Sequence, residues 1–200
     1  MILGITGTTG AGKTTLLREM ERRGAYIIDC DALYHQLLQQ EGPLCLALRE
    51  AFPEAFLDGC TLDRRRLARW VFSRPEELHR LDAIVAEHLP AEVERRIALQ
   101  ESKRWIGIDA IKLLESGLGR LCRYTVAVLA PEEKRLKRVM QRDGLSCEEA
   151  LRRIQAQHND DYYRERCDLV LENDCASAEE FRQKAAQFLN KLEQEEKHEQ

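Results

Sequence analysis

The stretch Gly7-Thr8-Thr9-Gly10-Ala11-Gly12-Lys13-Thr14 decides how the rest of this chain is read. It fits G-x-x-x-x-G-K-[ST], the phosphate-binding P-loop. An apolar run at residues 2–6 precedes it, and a helical pattern follows from Thr14 to about Arg23. The chemistry requires that context. Glycines let successive backbone N–H groups turn into one concavity, and a helix N-terminus adds partial positive charge there. Gly10, Ala11, Gly12, Lys13, Thr14 and Thr15 are therefore the expected ATP-binding set. Lys13 reaches for the β- and γ-phosphates, and the Thr14 hydroxyl is a candidate Mg²⁺ ligand.

Four more apolar, often β-branched runs lie downstream, at residues 25–28, 105–108, 125–129 and 169–171. They do not alternate apolar with polar, as expected of strands buried on both faces. Helical signatures fill the gaps. Pro131 opens one helix with Glu132 and Glu133 in its first turn, and Ser73…Glu76, Ser146…Glu149 and Ser177…Glu180 match the capping box. The expectation is an α/β P-loop NTPase fold, a three-layer α/β/α arrangement around a five-stranded parallel sheet. The strand spacing is uneven. Over seventy mostly helical residues separate the second and third runs, including an Arg-rich stretch at 62–72 and a long one from 75 to about 100. This is too much for a connector and reads as a helical subdomain. A second excess, between 129 and 169, holds two helical segments that meet at Arg142-Asp143-Gly144 and reads as a lid. The expected division is a single domain: a core of 1–34, 101–137 and 165–193, an acceptor-binding insertion at about 35–100, and a lid at about 138–164. The charged tail, 191–200, is expected to fray.

Composition bounds the alternatives. With 200 residues, 44% hydrophobic and 33% charged, the chain fits an ordinary globular protein and not a disordered one. The formal charge of −4 gives no global attraction to nucleic acid or an anionic membrane, so neither is an expected partner. Of the 31 basic residues 23 are Arg, the side chain that forks onto phosphate. Seven cysteines, including Cys60, are scattered without metal-ligand spacing and read as reduced thiols. With no signal-peptide pattern at MILGITGTTG and no membrane-length apolar run, a cytoplasmic protein is expected, with a monomer plausible.

Several side chains can act on a nucleotide held by the loop. Asp29-Cys30-Asp31 ends the second apolar run, where a carboxylate can take the proton of an attacking hydroxyl or hold the magnesium shell; Asp31 is the candidate base and can also cap the next helix. Asp109 ends the third run and suits magnesium or substrate, and Glu115 lies six residues on. Arg138 and Arg142 share one helix face, followed by Arg152, Arg153 and Gln157 beyond Gly144. A lid carrying Arg142 supplies charge to the γ-phosphate and excludes water. Arg64-Arg65-Arg66 reads as a solvated helix start or a grip on an anionic acceptor. His35, His79, His88, His158 and His198 have no partner at readable spacing. A GTPase would carry N-K-x-D and D-x-x-G, and neither is present.

Taken together, the P-loop, Ile28-Asp29-Cys30-Asp31, Leu62-Asp63-Arg64-Arg65-Arg66-Leu67 with Val71-Phe72, Gln141-Arg142-Asp143-Gly144-Leu145-Ser146, Arg153-Ile154-Gln155-Ala156-Gln157 and Cys167-Asp168-Leu169-Val170-Leu171-Glu172-Asn173 resemble the dephospho-CoA kinases. The resemblance spans nearly the whole chain in order. It implies transfer of the ATP γ-phosphate to the ribose 3′-hydroxyl of dephospho-CoA, with magnesium as cofactor. It also implies Asp31 as base and Lys13 and Arg142 on phosphate. The residues themselves put Arg138 with Arg142 on ATP, and Arg65, Asp109 and Glu115 with Asp31 on the acceptor. Asp29, Asp109 and Thr14 are the magnesium candidates. Two stretches depart from the family pattern. Asp-x-Pro-Leu-Leu-x-Glu is here Asp109-Ala110-Ile111-Lys112-Leu113-Leu114-Glu115, and a His-Pro pair is replaced by Ala86-Glu87, with His88 two positions on. The alternatives are a P-loop kinase of another nucleoside, nucleotide or small metabolite, and a non-catalytic nucleotide-binding regulator.

Overall fold

All five apolar runs form strands of one parallel sheet. In the computed structural model, which describes residues 1–58 and 61–198, they are β1 (Ile2–Gly7), β2 (Tyr26–Asp29), β5 (Ile106–Asp109), β6 (Tyr124–Leu129) and β7 (Leu169–Glu172). Their order is β2-β5-β1-β6-β7. Leu3, Ile5, Ile108, Val126, Ala127 and Val128 are wholly buried, which is why these runs lack alternation. Against one face pack α1 (Lys13–Arg22) and α9 (Ala178–His198), through Leu16, Met20, Phe181, Ala185 and Leu189. α2 (Cys30–Leu37) and the second half of α5 (Pro75–Ala98) cover Ile106 and Ile108 through Leu33, Leu89 and Val93. α8 (Asp160–Arg166) covers Ala127 and Leu129 through Tyr163. Register sets Asp29 beside Asp109, and Ile5 beside the same Asp109, at the carboxyl ends of the strands.

The long insertion has a core of its own. α3 (Pro43–Ala51) and α4 (Arg64–Phe72) gather Leu44, Leu48, Phe52, Phe56, Leu67 and Val71. α5 belongs to both cores: Leu78, Leu81 and Ile84 join the insertion, Leu89 and Val93 join the sheet, and Val85 touches both. Pro90 lies inside α5, where it has no N–H to offer the Ala86 carbonyl.

Local differences from the sequence reading have physical causes. Two two-residue strands, β3 (Phe56–Leu57) and β4 (Thr61–Leu62), pair antiparallel within the insertion, too short to leave a period. Beyond α6 (Glu132–Asp143) and α7 (Cys147–Gln155), the lid region holds a third helix, α8, capped by Asn159 Oδ1 accepting the Tyr162 N–H at 3.0 Å. The capping box at Ser146 and Glu149 forms. Ser73 does not start a helix: its Oγ donates to the carbonyls of Arg69 and Trp70 and closes α4. Ser177 Oγ accepts the Glu180 N–H at 3.1 Å, while the Glu180 carboxylate takes the N–H of Ala176. The tail does not fray through His198, because Leu192 is buried and Arg104 pairs with Glu193 and Glu196. Residues 199 and 200 lie outside the described residues, as does Cys60. Cys30, Cys45, Cys122, Cys147, Cys167 and Cys175 are free thiols. Among the described residues no helix is long and apolar enough to cross a membrane.

Candidate active site

The segment from Gly7 to Gly12 folds as a cradle because its glycines sit where other residues cannot. Gly7, Gly10 and Gly12 have φ of +124°, +77° and +113°. A Cβ on Gly7 would meet the Val128 carbonyl oxygen at 2.1 Å, and one on Gly12 would meet Asn173 and Phe181 at 2.6 and 2.9 Å. The loop therefore lies flush on β6, α6 and α9. α6 also reaches it with charge: Arg138 Nη1 donates to the carbonyls of Gly10 at 3.1 Å and Ala11 at 3.4 Å. Asn173, buried just past β7, donates to the Ala11 carbonyl at 2.6 Å and accepts from Arg138 Nη2 at 3.3 Å. The N–H groups of Ala11 and Thr15 turn back onto the carbonyls of Thr8 at 3.2 Å and Gly12 at 2.9 Å, and that of Thr9 onto Gln157 at 2.7 Å, so the amides the loop offers a ligand are those of Gly10, Gly12, Lys13 and Thr14. Asn173 is a site residue that sequence reasoning quoted without a role; its signal is an Asn directly after the last apolar run.

Lys13 opens α1 directly after Gly12, and its Nζ donates to the Gly7 carbonyl at 2.9 Å. Burial lowers its pKa, Arg142 adds to that, and the carboxylates of Asp109 and Asp31 oppose it. Thr14, next on α1, is exposed. On the facing strand end, burial pushes the Asp109 carboxyl up to about 6; Lys13 pulls it down, while Asp29 and Asp31 push it further up. Asp29 caps α2, its Oδ1 accepting the Ala32 N–H at 2.9 Å. The capping duty thus falls to Asp29, and Asp31 is free of it, exposed in the first turn of the helix. Cys30 between them is buried, and burial with the three neighbouring carboxylates pushes its thiol to about 12, so it is inert.

The structure thus brings Lys13, Asp29, Asp31 and Asp109 together, with Arg142 within electrostatic reach of Lys13. Arg142 itself is exposed and forks onto Asp143, Nε to Oδ1 and Nη2 to Oδ2, both at 2.8 Å. Arg153 holds the other side of that carboxylate at 2.9 Å. Arg65 is exposed and makes no side-chain contact with this group; its neighbour Arg64 does turn toward α2, placing Nη2 3.2 Å from His35 Nε2, one turn beyond Asp31. Glu115 is taken by His158 at 3.0 Å and by the Tyr162 hydroxyl at 3.1 Å, contacts that gave no sequence signal because they join residues over forty positions apart. The departures from the family pattern lie on the acceptor side. Ile111 is exposed, its carbonyl accepting from Thr6 Oγ1 at 3.1 Å, and Lys112 Nζ pairs with Asp82 of α5 at 2.9 Å.

The donors present suit a magnesium ion that arrives with a nucleotide. No group of three or more acidic, His or Cys side chains among the described residues forms a cage. One hydroxyl at Thr14 and carboxylates at Asp109 and Asp29 beside a phosphate cradle are what Mg²⁺ uses when it keeps its waters and takes phosphate oxygens.

Parallel sheet, phosphate cradle, strand-end carboxylates and an Arg-bearing lid define a P-loop kinase. The comparisons narrow the class. The dephospho-CoA kinase family model matches residues 1–179, and the chain belongs to that family. Dephospho-CoA kinases of Thermus thermophilus and Deinococcus radiodurans are each 38% identical to it, over 86% of this chain and 83% of theirs. A crystal structure of a Thermus thermophilus protein superposes with a TM-score of 0.80 at 35% identity, covering 96% of this chain and 97% of its own. The Campylobacter jejuni dephospho-CoA kinase does so at 0.69 and 25% identity, covering 96% of each.

Proposed function

We propose that this protein transfers the γ-phosphoryl group of ATP to the ribose 3′-hydroxyl of dephospho-CoA in the cytoplasm, giving coenzyme A and ADP, the last step of coenzyme A synthesis. Family membership supports the reaction. The observation that carries the chemistry is the convergence of Lys13, Asp109 and Asp31 at the mouth of the glycine cradle.

The stretch from Gly10 to Thr15 receives the phosphate oxygens through the amides of Gly10, Gly12, Lys13 and Thr14, and Lys13 exchanges the Gly7 carbonyl for the β- and γ-phosphates. Arg138 supports ATP binding by holding the carbonyls of Gly10 and Ala11. Thr14 and Asp109 or Asp29 would hold the Mg²⁺ that comes with the nucleotide, which would supply neutralising charge on the phosphates. Asp31 accepts the hydroxyl proton as the bond from γ-phosphorus to the bridging oxygen breaks and a bond to the 3′-oxygen forms. Asp109, Glu115 and Arg65 orient the acceptor, and Arg142 brings its charge to the γ-phosphate in the transition state.

A coupled ADP-release assay with Mg-ATP, run with and without dephospho-CoA, tests this reading. The expected result is turnover that requires dephospho-CoA and a product bearing a 3′-phosphate. ATP binding without such turnover overturns the acceptor assignment. In Asp31→Asn, kcat is expected to fall at least ~100-fold with ATP affinity nearly intact; wild-type kcat would leave Asp31 only a favourable charge in the first turn of α2.

A further inference from the structure

Three consecutive residues between α7 and α8 are fastened to three different places. Gln157 Oε1 accepts the Thr9 N–H at 2.7 Å, at the outer lip of the phosphate loop. His158 Nε2 lies 3.0 Å from Glu115 Oε1, and its ring stacks on Tyr162 with centroids 3.7 Å apart. Asn159 Oδ1 takes the N–H of the same Tyr162. A side chain whose neighbours are tied down on either side holds its position far better than an ordinary surface glutamine.

The Gln157 amide also has a defined orientation. A backbone N–H can only donate, so the atom facing Thr9 is the oxygen. The amide nitrogen then carries two N–H donors, and no hydrogen bond occupies them among the described residues. Their location matters. Gln157 touches the phosphate loop, and the next residue touches Glu115, in the segment that follows Asp109. Gln157 therefore lies on the phosphate loop itself, next in sequence to the residue that holds Glu115.

We propose that Gln157 is a further catalytic residue, whose Nε2 donates a hydrogen bond to an oxygen of the γ-phosphoryl group in flight while the Thr9 N–H holds the amide the right way round. The proposal rests on the reading of residues 7–14 as the γ-phosphate site. Gln157 gains and loses no proton: the acceptor's proton still goes to Asp31 and the bridging oxygen still leaves with ADP. A fixed neutral donor is most effective where charge develops, so it acts in the transition state more than on bound ATP.

Gln157→Glu separates this role from a structural one, because it keeps an oxygen for the Thr9 N–H, removes both donors and sets a carboxylate beside the phosphate. The expected outcome is a loss in kcat of at least ~100-fold, the scale of one lost oxyanion donor. ADP lacks the γ-phosphate, so its affinity should stay within about twofold. Gln157→Ala, which adds no repulsion, should lose roughly 100-fold in kcat with the same ADP affinity and an unchanged melting temperature. Wild-type kcat in Gln157→Glu would overturn the proposal, leaving Gln157 a strap between lid and loop. So would equal losses of ADP and ATP affinity with kcat spared. Lys13→Ala run alongside tells the two readings apart: undiminished ATP turnover there would remove the phosphate-loop assignment itself, whatever Gln157 does.

Discussion

The phosphate loop and the helical insertion, with the segment after α6, are held by different means. Around the loop the restraints are buried or part-buried: glycines flush against Val128 and Phe181, and backbone groups bound by Asn173, Arg138 and Gln157. Across the insertion and the segment after α6 many of the polar contacts are exposed side-chain pairs: Lys112 with Asp82, Arg142 and Arg153 with Asp143, and His158 with Glu115. Buried, fully satisfied groups are expensive to disturb, whereas exposed pairs contribute little and exchange readily with water or ligand. The loop is thus held by contacts that are costly to break, and the insertion and the segment after α6 by contacts that exchange readily.

Four measurements break or sharpen that contrast. Lys13→Ala removes the only side-chain cation that the loop itself supplies, and kcat/KM for ATP should fall by at least ~10³-fold in steady-state turnover. Arg142→Ala should lower kcat by ~100-fold while ATP affinity changes far less, since the lid charge acts chiefly in the transition state; an equal loss of affinity with kcat spared would place Arg142 in ground-state binding. Asn173→Ala removes the shorter of the two bonds to the buried Ala11 carbonyl and one of the partners of Arg138, which should lower stability by about 1–3 kcal/mol in chemical denaturation. Lys112→Ala removes an exposed pair and should change stability by less than ~1 kcal/mol. A loss in Lys112→Ala as large as in Asn173→Ala would erase the distinction between the two sides.

Sequence reasoning reached the sheet because its strands are buried on both faces and leave unbroken apolar runs, and it reached the loop because glycine spacing is a backbone requirement. The uneven distances between runs pointed to extra helices, and the structure holds them between β2 and β5 and between β6 and β7. What stayed hidden depends on contacts between distant residues. Nothing local to Asp29 and Asp31 says which caps α2, since both precede helical residues; only the bond from Asp29 Oδ1 to the Ala32 N–H decides it. Arg65 sits in a run of three identical side chains, and rotation around α4 sends Arg64 toward His35. His158 looked solitary because its partner, Glu115, lies on another element. The tail reads as solvated by composition, yet Leu192 and the pairs to Arg104 hold it down.

Pro90 gives α5 a mechanical property that the rest of the sheet-packed helices lack. Val85, Leu89 and Val93, on both sides of it, lie against the sheet, and the turns from Pro75 to Ile84 run inside the insertion's own core. The end of the helix at Pro75 lies about 22 Å from Pro90 at the rise of an α-helix. A bend of about 5° at the missing hydrogen bond would swing its tip through about 2 Å. The insertion, which shares α5 with the sheet, thus has a weakened backbone link at Pro90, where a small angular adjustment becomes a displacement the size of a hydrogen bond without altering the strand register that aligns Asp29 with Asp109.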